Sequence, residues 1–156
     1  MWPRNAKQAR LVNLAKSIAN EIKPTASEHD RDGSFPHEHF EFMRRKGYLK
    51  ASVPREHGGA GHGLAGLVLA QYEIGIGDGS TSVSVGMHHM IVGAEAETKN
   101  WPKGLRERIF EEIVRDGALI NSIASEPDLG SPRGGGRPAS TLEPTGKDEG
   151  VAWVKG

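Results

Sequence analysis

The 156-residue chain has no cysteine. That excludes disulfides, thiolate metal sites and a cysteine nucleophile, and fits a reducing compartment. An excess of one charge is also missing: 20 Lys and Arg balance 20 Asp and Glu. No net field gathers nucleic acid or an anionic membrane. No run approaches the ~18 apolar residues of a membrane span, and the start MWPRNAKQAR has no apolar leader core. The expectation is a soluble, cytoplasmic protein with neither nucleic acid nor membrane as partner. Glycine is plentiful instead: the 21 glycines collect around residues 58–66, 75–79 and 130–136 and mark breaks between elements.

Between the breaks the pattern is helical. Leu11, Leu14, Ala15, Ile18 and Ile22 recur at three and four, predicting an amphipathic helix over 7–23 that Pro24 stops. Ser34 is a candidate cap and Pro36 suits an early helical position, with Phe40 and Met43 facing inward until Gly47. Tyr48 to Val53 reads as extended, and Pro54 to Gly63 as a glycine-rich turn. Leu64, Leu67, Val68, Tyr72 and Ile76 define the next helix, ended by Gly77 and Gly79. Residues 80–98 form another, with Val83, Met87, Met90 and Ile91 expected on one packed face. A last helix over 102–115 has Leu105, Ile109 and Ile113 inside and Arg106, Glu107, Arg108, Glu111 and Glu112 on the wet side.

After Asp116-Gly117 the character changes. Strands are expected near 118–124, 139–143 and 151–154, the last two as a hairpin around the polar turn Gly146 to Gly150. Helices followed by strands indicate an α+β chain with segregated layers. Three short strands cannot complete a sheet, so the expectation is the amino-terminal part of a longer protein.

The stretch ALINSIASEPDLGS, Ala118 to Ser131, runs a short apolar strand into a Ser-Glu-Pro turn and then Gly-Ser. Pro127 interrupts a ladder, Gly130 allows close approach of a ligand, and Ser131 offers a hydroxyl and an amide to an anionic oxygen. Alone, such a segment is more often an ordinary strand and turn. In order along the chain it joins Lys46-Gly47-Tyr48-Leu49, Val53-Pro54-Arg55-Glu56-His57-Gly58-Gly59, Leu69-Ala70-Gln71-Tyr72-Glu73-Ile74 with Gly77-Asp78-Gly79-Ser80, and Asp148 to Gly156. Together these resemble the acyl-CoA dehydrogenase family over nearly the whole chain.

The resemblance implies a helical amino-terminal domain over 1–116 and, over 117–156, the first strands of an incomplete β-domain. It further implies FAD as cofactor, an acyl-CoA or related small-molecule substrate, an electron-transfer acceptor, and a homo-oligomer when full length. Ser125 would meet the pyrimidine edge of the flavin, with Ala124 and Ser122 on the strand leading to it. Gly130 and Ser131 would meet the flavin pyrophosphate, and Ser131 also the pantetheine arm of the substrate. The family usually has Thr where Ser125 stands and Asp where Pro132 stands; the second change removes a charge and an N–H. The glutamate base of most members lies in a carboxy-terminal bundle outside these residues, so no catalytic residue is assigned and the chain alone is expected to be inactive. A flavin monooxygenase of the same fold, suggested by Pro132 and the segment PRGGGRP, and a non-catalytic helical interaction module remain alternatives.

Several residues invite other readings. His88 and His89 are adjacent on a helix and diverge by about 100°, so they do not share a metal. One of them either lines the substrate cavity or is a satisfied core histidine. His37 and His39, two apart on a short helix, also diverge and are expected to be solvated, and no metal site is expected. Gly134 to Gly136 between Arg133 and Arg137 are either an anion nest or a flexible loop, and Trp153 is read as packing.

Overall fold

The first helix, α1, spans Ala6–Asp32 and opens on Asn5, whose side chain accepts the Gln8 N–H at 2.9 Å. These positions come from a computed structural model that describes residues 2–122 and the backbone of 141–144 and 152–155. Leu11, Ala15, Ile18 and Ile22 are buried, as their spacing predicts. Pro24 does not stop the helix; it lies inside it. Pro24 and Asn20 are both exposed, so the Asn20 carbonyl deprived of its partner faces water. Beyond the proline, the Thr25 hydroxyl lies 2.7 Å from His39 Nε2 and His29 pairs with Glu38, which secures the last turns.

Helix α2 spans His37–Arg45 with Phe40 and Met43 buried. Its cap position is Pro36, without a side-chain bond, while the expected cap Ser34 is occupied by His29 at 2.8 Å. Gly47, at φ 70°, leads into a short 3-10 turn over Tyr48–Lys50, where the sequence predicts an extended run. The difference has a packing cause. Tyr48, Leu49, Ala51, Ser52 and Val53 are all buried, which a half-exposed strand cannot achieve and a tight turn inside the helical layer can. The loop over 54–63 folds back on this turn: Ala60, Gly61 and His62 donate to the carbonyls of Lys50, Val53 and Ala51 at 2.8–3.1 Å. A side chain at Gly59 would collide with the Val53 carbonyl, so only glycine closes the loop.

Helices α3 (Leu64–Gly77) and α4 (Gly79–Thr98) share one junction residue, Asp78, whose carboxylate accepts from Ser80 N at 3.0 Å and Thr81 N at 3.2 Å. The faces they bury differ from expectation. On α3 the inner face is Gly66, Leu67, Ala70 and Ile74. Leu64, Val68, Tyr72 and Ile76 are 54–70% exposed, as are Val83 at 70% and Met90 at 57% on α4. Glycine stands where α1 comes closest: a Cβ at Gly77 would stand 2.6 Å from the Ala19 carbonyl oxygen. The side chains of α1, α2 and α3 with Tyr48, Leu49, Ala51 and Val85 make one core cluster; Val53, Val92, Phe110 and Ile113 make a second. Each fully buried Ile or Phe contributes roughly 1.5–3 kcal/mol.

Helix α5 (Lys103–Asp116) buries Phe110 and Ile113, but Leu105 is 36% exposed. Arg106, expected on the wet side, turns in to Glu95 at 3.3 Å. Glu95 is buried and also accepts the N–H groups of Asn100 and Trp101 at 3.0 and 3.1 Å, so the α4–α5 connection is tied by a satisfied carboxylate.

Gly117, at φ 65°, ends α5, and residues 118–122 are not a strand. The Ile120 N–H is taken by His88 Nδ1 at 3.2 Å rather than by a ladder, which a strand needs and which no described neighbour supplies there. The rest of that predicted strand lies outside the described residues. Further on, β1 (Thr141–Pro144) and β2 (Ala152–Lys155) pair antiparallel, Thr141 opposite Lys155 and Pro144 opposite Ala152. The chain forms two compact units, Met1–Asn121 and Ser122–Gly156. Among the described residues no helix is long and apolar enough to cross a membrane.

Candidate functional site

The inward face of α4 carries two adjacent histidines, and the structure gives them different tasks. His88 Nε2–H donates to the Leu49 carbonyl at 2.8 Å. Its Nδ1 is then the acceptor for Ile120 N–H, which fixes both the tautomer and the backbone two residues before Ser122. Burial lowers its pKa, so this ring is neutral. His88 is thus a satisfied core histidine.

His89, about 100° further round the helix, faces a cavity. Its Nδ1 lies 3.0 Å from Ser52 Oγ, and its ring meets Tyr48 edge-on with centroids 4.9 Å apart. Its Nε2 is buried with no hydrogen-bond partner among the described residues. Burial, with His88 and His62 nearby, pushes its pKa down to about 3. The ring therefore offers a neutral polar atom: an N–H if Ser52 donates to Nδ1, a lone pair if Ser52 accepts from it.

The cavity has a volume of about 730 Å³ and lies between α3, α4 and the loop over 54–63. Leu64, Leu67, Val68 and Met90 form apolar wall; Arg55 and Glu97 supply charge. Gln71, also in the wall, is held by three groups. It accepts from Tyr48 Oη at 2.8 Å and donates to the Ser82 carbonyl at 2.9 Å, while its own carbonyl accepts from Ser82 Oγ at 2.9 Å. Gly86 makes room for it, since a Cβ there would stand 2.6 Å from Gln71 Nε2. Burial raises the Tyr48 pKa, which keeps the phenol a donor. His62 is lowered to about 4 by burial and by Lys7, Arg55 and Arg10 around it.

Of the residues assigned to flavin or substrate, Ser122 is exposed and outside regular structure. Ala124, Ser125, Gly130 and Ser131 lie outside the described residues, as do Pro132 to Arg137. Sequence reasoning missed Glu95 with Arg106, which are 11 residues apart on different helices with no spacing signal to join them. It also misplaced His39, which is buried rather than solvated and stands between Thr25 Oγ1 and Thr81 Oγ1 at 2.7 and 2.9 Å. There a signal existed: His39 precedes inward-facing Met43 by four positions, one turn on the same face.

The first compact unit is thus a helical layer with a cavity between its third and fourth helices and a buried histidine holding the chain that leaves the fifth. Residues 6–116 match the family described as acyl-CoA dehydrogenase, N-terminal domain, and the chain belongs to that family. Over 140 residues, 90% of the chain and 36% of the relative, it is 34% identical to YdbM of Bacillus subtilis (strain 168), which carries the name of an acyl-CoA dehydrogenase. Dibenzothiophene monooxygenase of Rhodococcus erythropolis is 35% identical over 124 residues, covering 80% of this chain and 29% of the relative. A solved structure of KijD3 with FMN and a dTDP-linked amino sugar superposes with a TM-score of 0.76 at 27% identity, covering 99% of this chain and 37% of that one. The chain spans about a third of the length of the curated relatives it matches.

Proposed function

We propose that the chain is the amino-terminal portion of an FAD-dependent acyl-CoA dehydrogenase, an oxidoreductase acting on a CH–CH bond of an acyl thioester. The observation that carries this reading is the α3–α4 cavity: its wall includes a run of apolar side chains, and the histidine within it is held neutral. The apolar wall suits an uncharged chain, while Arg55, Glu56 and Glu97 offer charge to the polar parts of a ligand. The exposed row Leu64, Val68, Tyr72 and Ile76 then serves as the surface on which the remainder of such a protein packs.

In this reading residues 1–116 are the helical domain and 117–156 begin the β-domain. Ser122, Ala124, Ser125, Gly130 and Ser131 hold the flavin, and Ser131 also meets the substrate. His88 contributes by fixing the Ile120 backbone just ahead of these residues. A bound flavin supplies the hydride acceptor; this part of the protein supplies binding and orientation. The electron acceptor is a separate partner, the complete enzyme is a homo-oligomer, and the compartment is the cytoplasm.

A second reading, a flavin monooxygenase of the same fold, is favoured by the 35% identity to dibenzothiophene monooxygenase and by Pro132 in the motif. The intact protein distinguishes them. Purified and denatured, it should release FAD, and anaerobic addition of acyl-CoA thioesters should bleach the flavin. Release of FMN, or turnover that requires reduced flavin and oxygen without any thioester, would replace the first reading by the second. Ser125→Ala should weaken FAD binding by roughly 0.5–1.5 kcal/mol, the net value of a neutral hydrogen bond. Unchanged affinity removes Ser125 from the site.

A further inference from the structure

Where the last turn of α1 meets the first of α2, three side chains converge that share no residue with the α3–α4 cavity. His29, Glu38 and His39 each bring one donor atom to within 4.8 Å of the others. His29 Nε2 lies 2.5 Å from Glu38 Oε1, and His39 Nε2 lies 3.7 Å from the same oxygen. The two imidazoles meet edge-on with centroids 5.3 Å apart.

We propose that His29, Glu38 and His39 form a binding site for a zinc-type divalent cation, with two imidazole nitrogens, one carboxylate oxygen and a fourth position left for water. Two nitrogens and one oxygen suit zinc, and ligand atoms at bond lengths of about 2.0–2.1 Å around a tetrahedral ion stand ~3.3 Å apart. The two distances to Glu38 Oε1 straddle that value, so closing the site takes small side-chain rotations and no movement of helices.

The surroundings are those of a supported metal site. A ligating histidine needs its other nitrogen held, and here both are: His29 Nδ1 by Ser34 Oγ at 2.8 Å and His39 Nδ1 by Thr81 Oγ1 at 2.9 Å. Thr81 in turn donates to the Asp78 carboxylate, so the chain Asp78, Thr81, His39 fixes the proton on Nδ1 and leaves Nε2 as the ligand atom. The Thr25 hydroxyl, now 2.7 Å from that Nε2, has a second acceptor in the Ile22 carbonyl at 3.2 Å, so an ion can displace it without orphaning it. On ion binding the His29 ring proton moves from Nε2 to Nδ1, where Ser34 Oγ accepts it, and Nε2 and Glu38 Oε1 are both free to ligate. A small cavity of about 240 Å³, lined in part by His29, Ser34 and Asp78, gives access. The ion would tie the part of α1 beyond Pro24 to α2.

The alternative is a metal-free hydrogen-bonded clamp made by the same residues. Intact protein freed of metal with a chelator should be titrated with zinc chloride by calorimetry and with cobalt chloride by visible absorption. One ion per chain, a cobalt band of low-symmetry four- or five-coordination and a raised melting temperature are expected. Glu38→Gln and His29→Gln should each weaken binding at least tenfold, and Glu38, being largely exposed, can be replaced without disturbing the core. No stoichiometric ion, or equal affinity in wild type and both variants, overturns the proposal.

Discussion

Gly77→Ala tests the packing on which the cavity stands. In a helix this exchange ordinarily stabilises by up to ~1 kcal/mol, because alanine restricts the unfolded chain and favours helix. At Gly77 the added Cβ would stand 2.6 Å from the Ala19 carbonyl oxygen and 2.8 Å from Ala19 Cα. Both are backbone atoms and cannot rotate away, so α1 and α3 must part. Their shared cluster includes Leu11, Ala15, Ile18, Ile22, Leu67, Ala70 and Ile74, and forcing a packed core apart costs about 1–3 kcal/mol. The clash exceeds the propensity gain, and we expect a net loss of about 1–2 kcal/mol, roughly 3–8 °C in Tm for a unit of this size. Gly104, in the first turn of α5 with nothing within 4 Å of its Cβ position, is the control; Gly104→Ala should be neutral or stabilise by up to ~1 kcal/mol. Thermal melts followed by circular dichroism, with urea titrations, measure both. A Gly77→Ala protein melting at or above wild type would refute the close approach of α1 and α3.

Acid should weaken the fold between pH 6.5 and 4. His89, at about 3, and His62, at about 4, are neutral when folded and titrate near 6.5 when unfolded, so in that window the unfolded state binds more protons. Stability is complete above pH 6.5 and falls with pH, by up to ~1.4 kcal/mol per unit from buried His89 and less from the more exposed His62. Urea midpoints against pH check this, and His89→Gln should flatten the profile; identical slopes would contradict it. Glu95→Ala removes the acceptor for Asn100 N–H, Trp101 N–H and Arg106, and should cost about 2–4 kcal/mol in urea unfolding. A loss under ~0.5 kcal/mol would show the cluster to be idle. The chain on its own should bind a hydrophobic dye or self-associate through the exposed α3 row; a compact monomer in sedimentation with no dye signal speaks against it.

Helix positions were readable because apolar spacing and glycine breaks are local signals; α3 and α5 fall within about a residue of the predicted bounds. Which face of α3 is buried was not readable. The helix is apolar on both sides, with Leu67 and Ile74 inside and the row Leu64, Val68, Tyr72 and Ile76 outside, and the close approach of the α1 backbone at Gly77 that fixes its rotation has no local signal. Pro24 was misread because the cost of an interior proline is outweighed by contacts made beyond it, Thr25 to His39 and His29 to Glu38, which are distant in sequence. The run Tyr48 to Val53 looked like a strand because continuous burial has no period, so turn and strand give the same pattern. The assignment of Ala118 to Ser131 to a flavin rested on resemblance alone, and residues 123–131 lie outside the described residues. The cavity histidine was legible only as one of two, since the choice between His88 and His89 depends on Leu49 and Ile120, both distant in sequence.

The two faces of α3 and α4 carry opposite chemical demands, and this bears on what the cavity can bind. Toward α1 the contacts of α3 are apolar and close. On the outer side, bulky apolar residues stand beside a cavity with a buried, unpartnered His89 Nε2. A helix apolar all round is stable only when both sides are covered, and a buried polar atom without a partner costs about 1–3 kcal/mol. Both costs fall when further protein covers the row and a ligand or ordered group meets Nε2. Ligand affinity in the cavity should therefore depend on what covers α3, and small apolar ligands should bind the intact protein far better than the isolated helical unit.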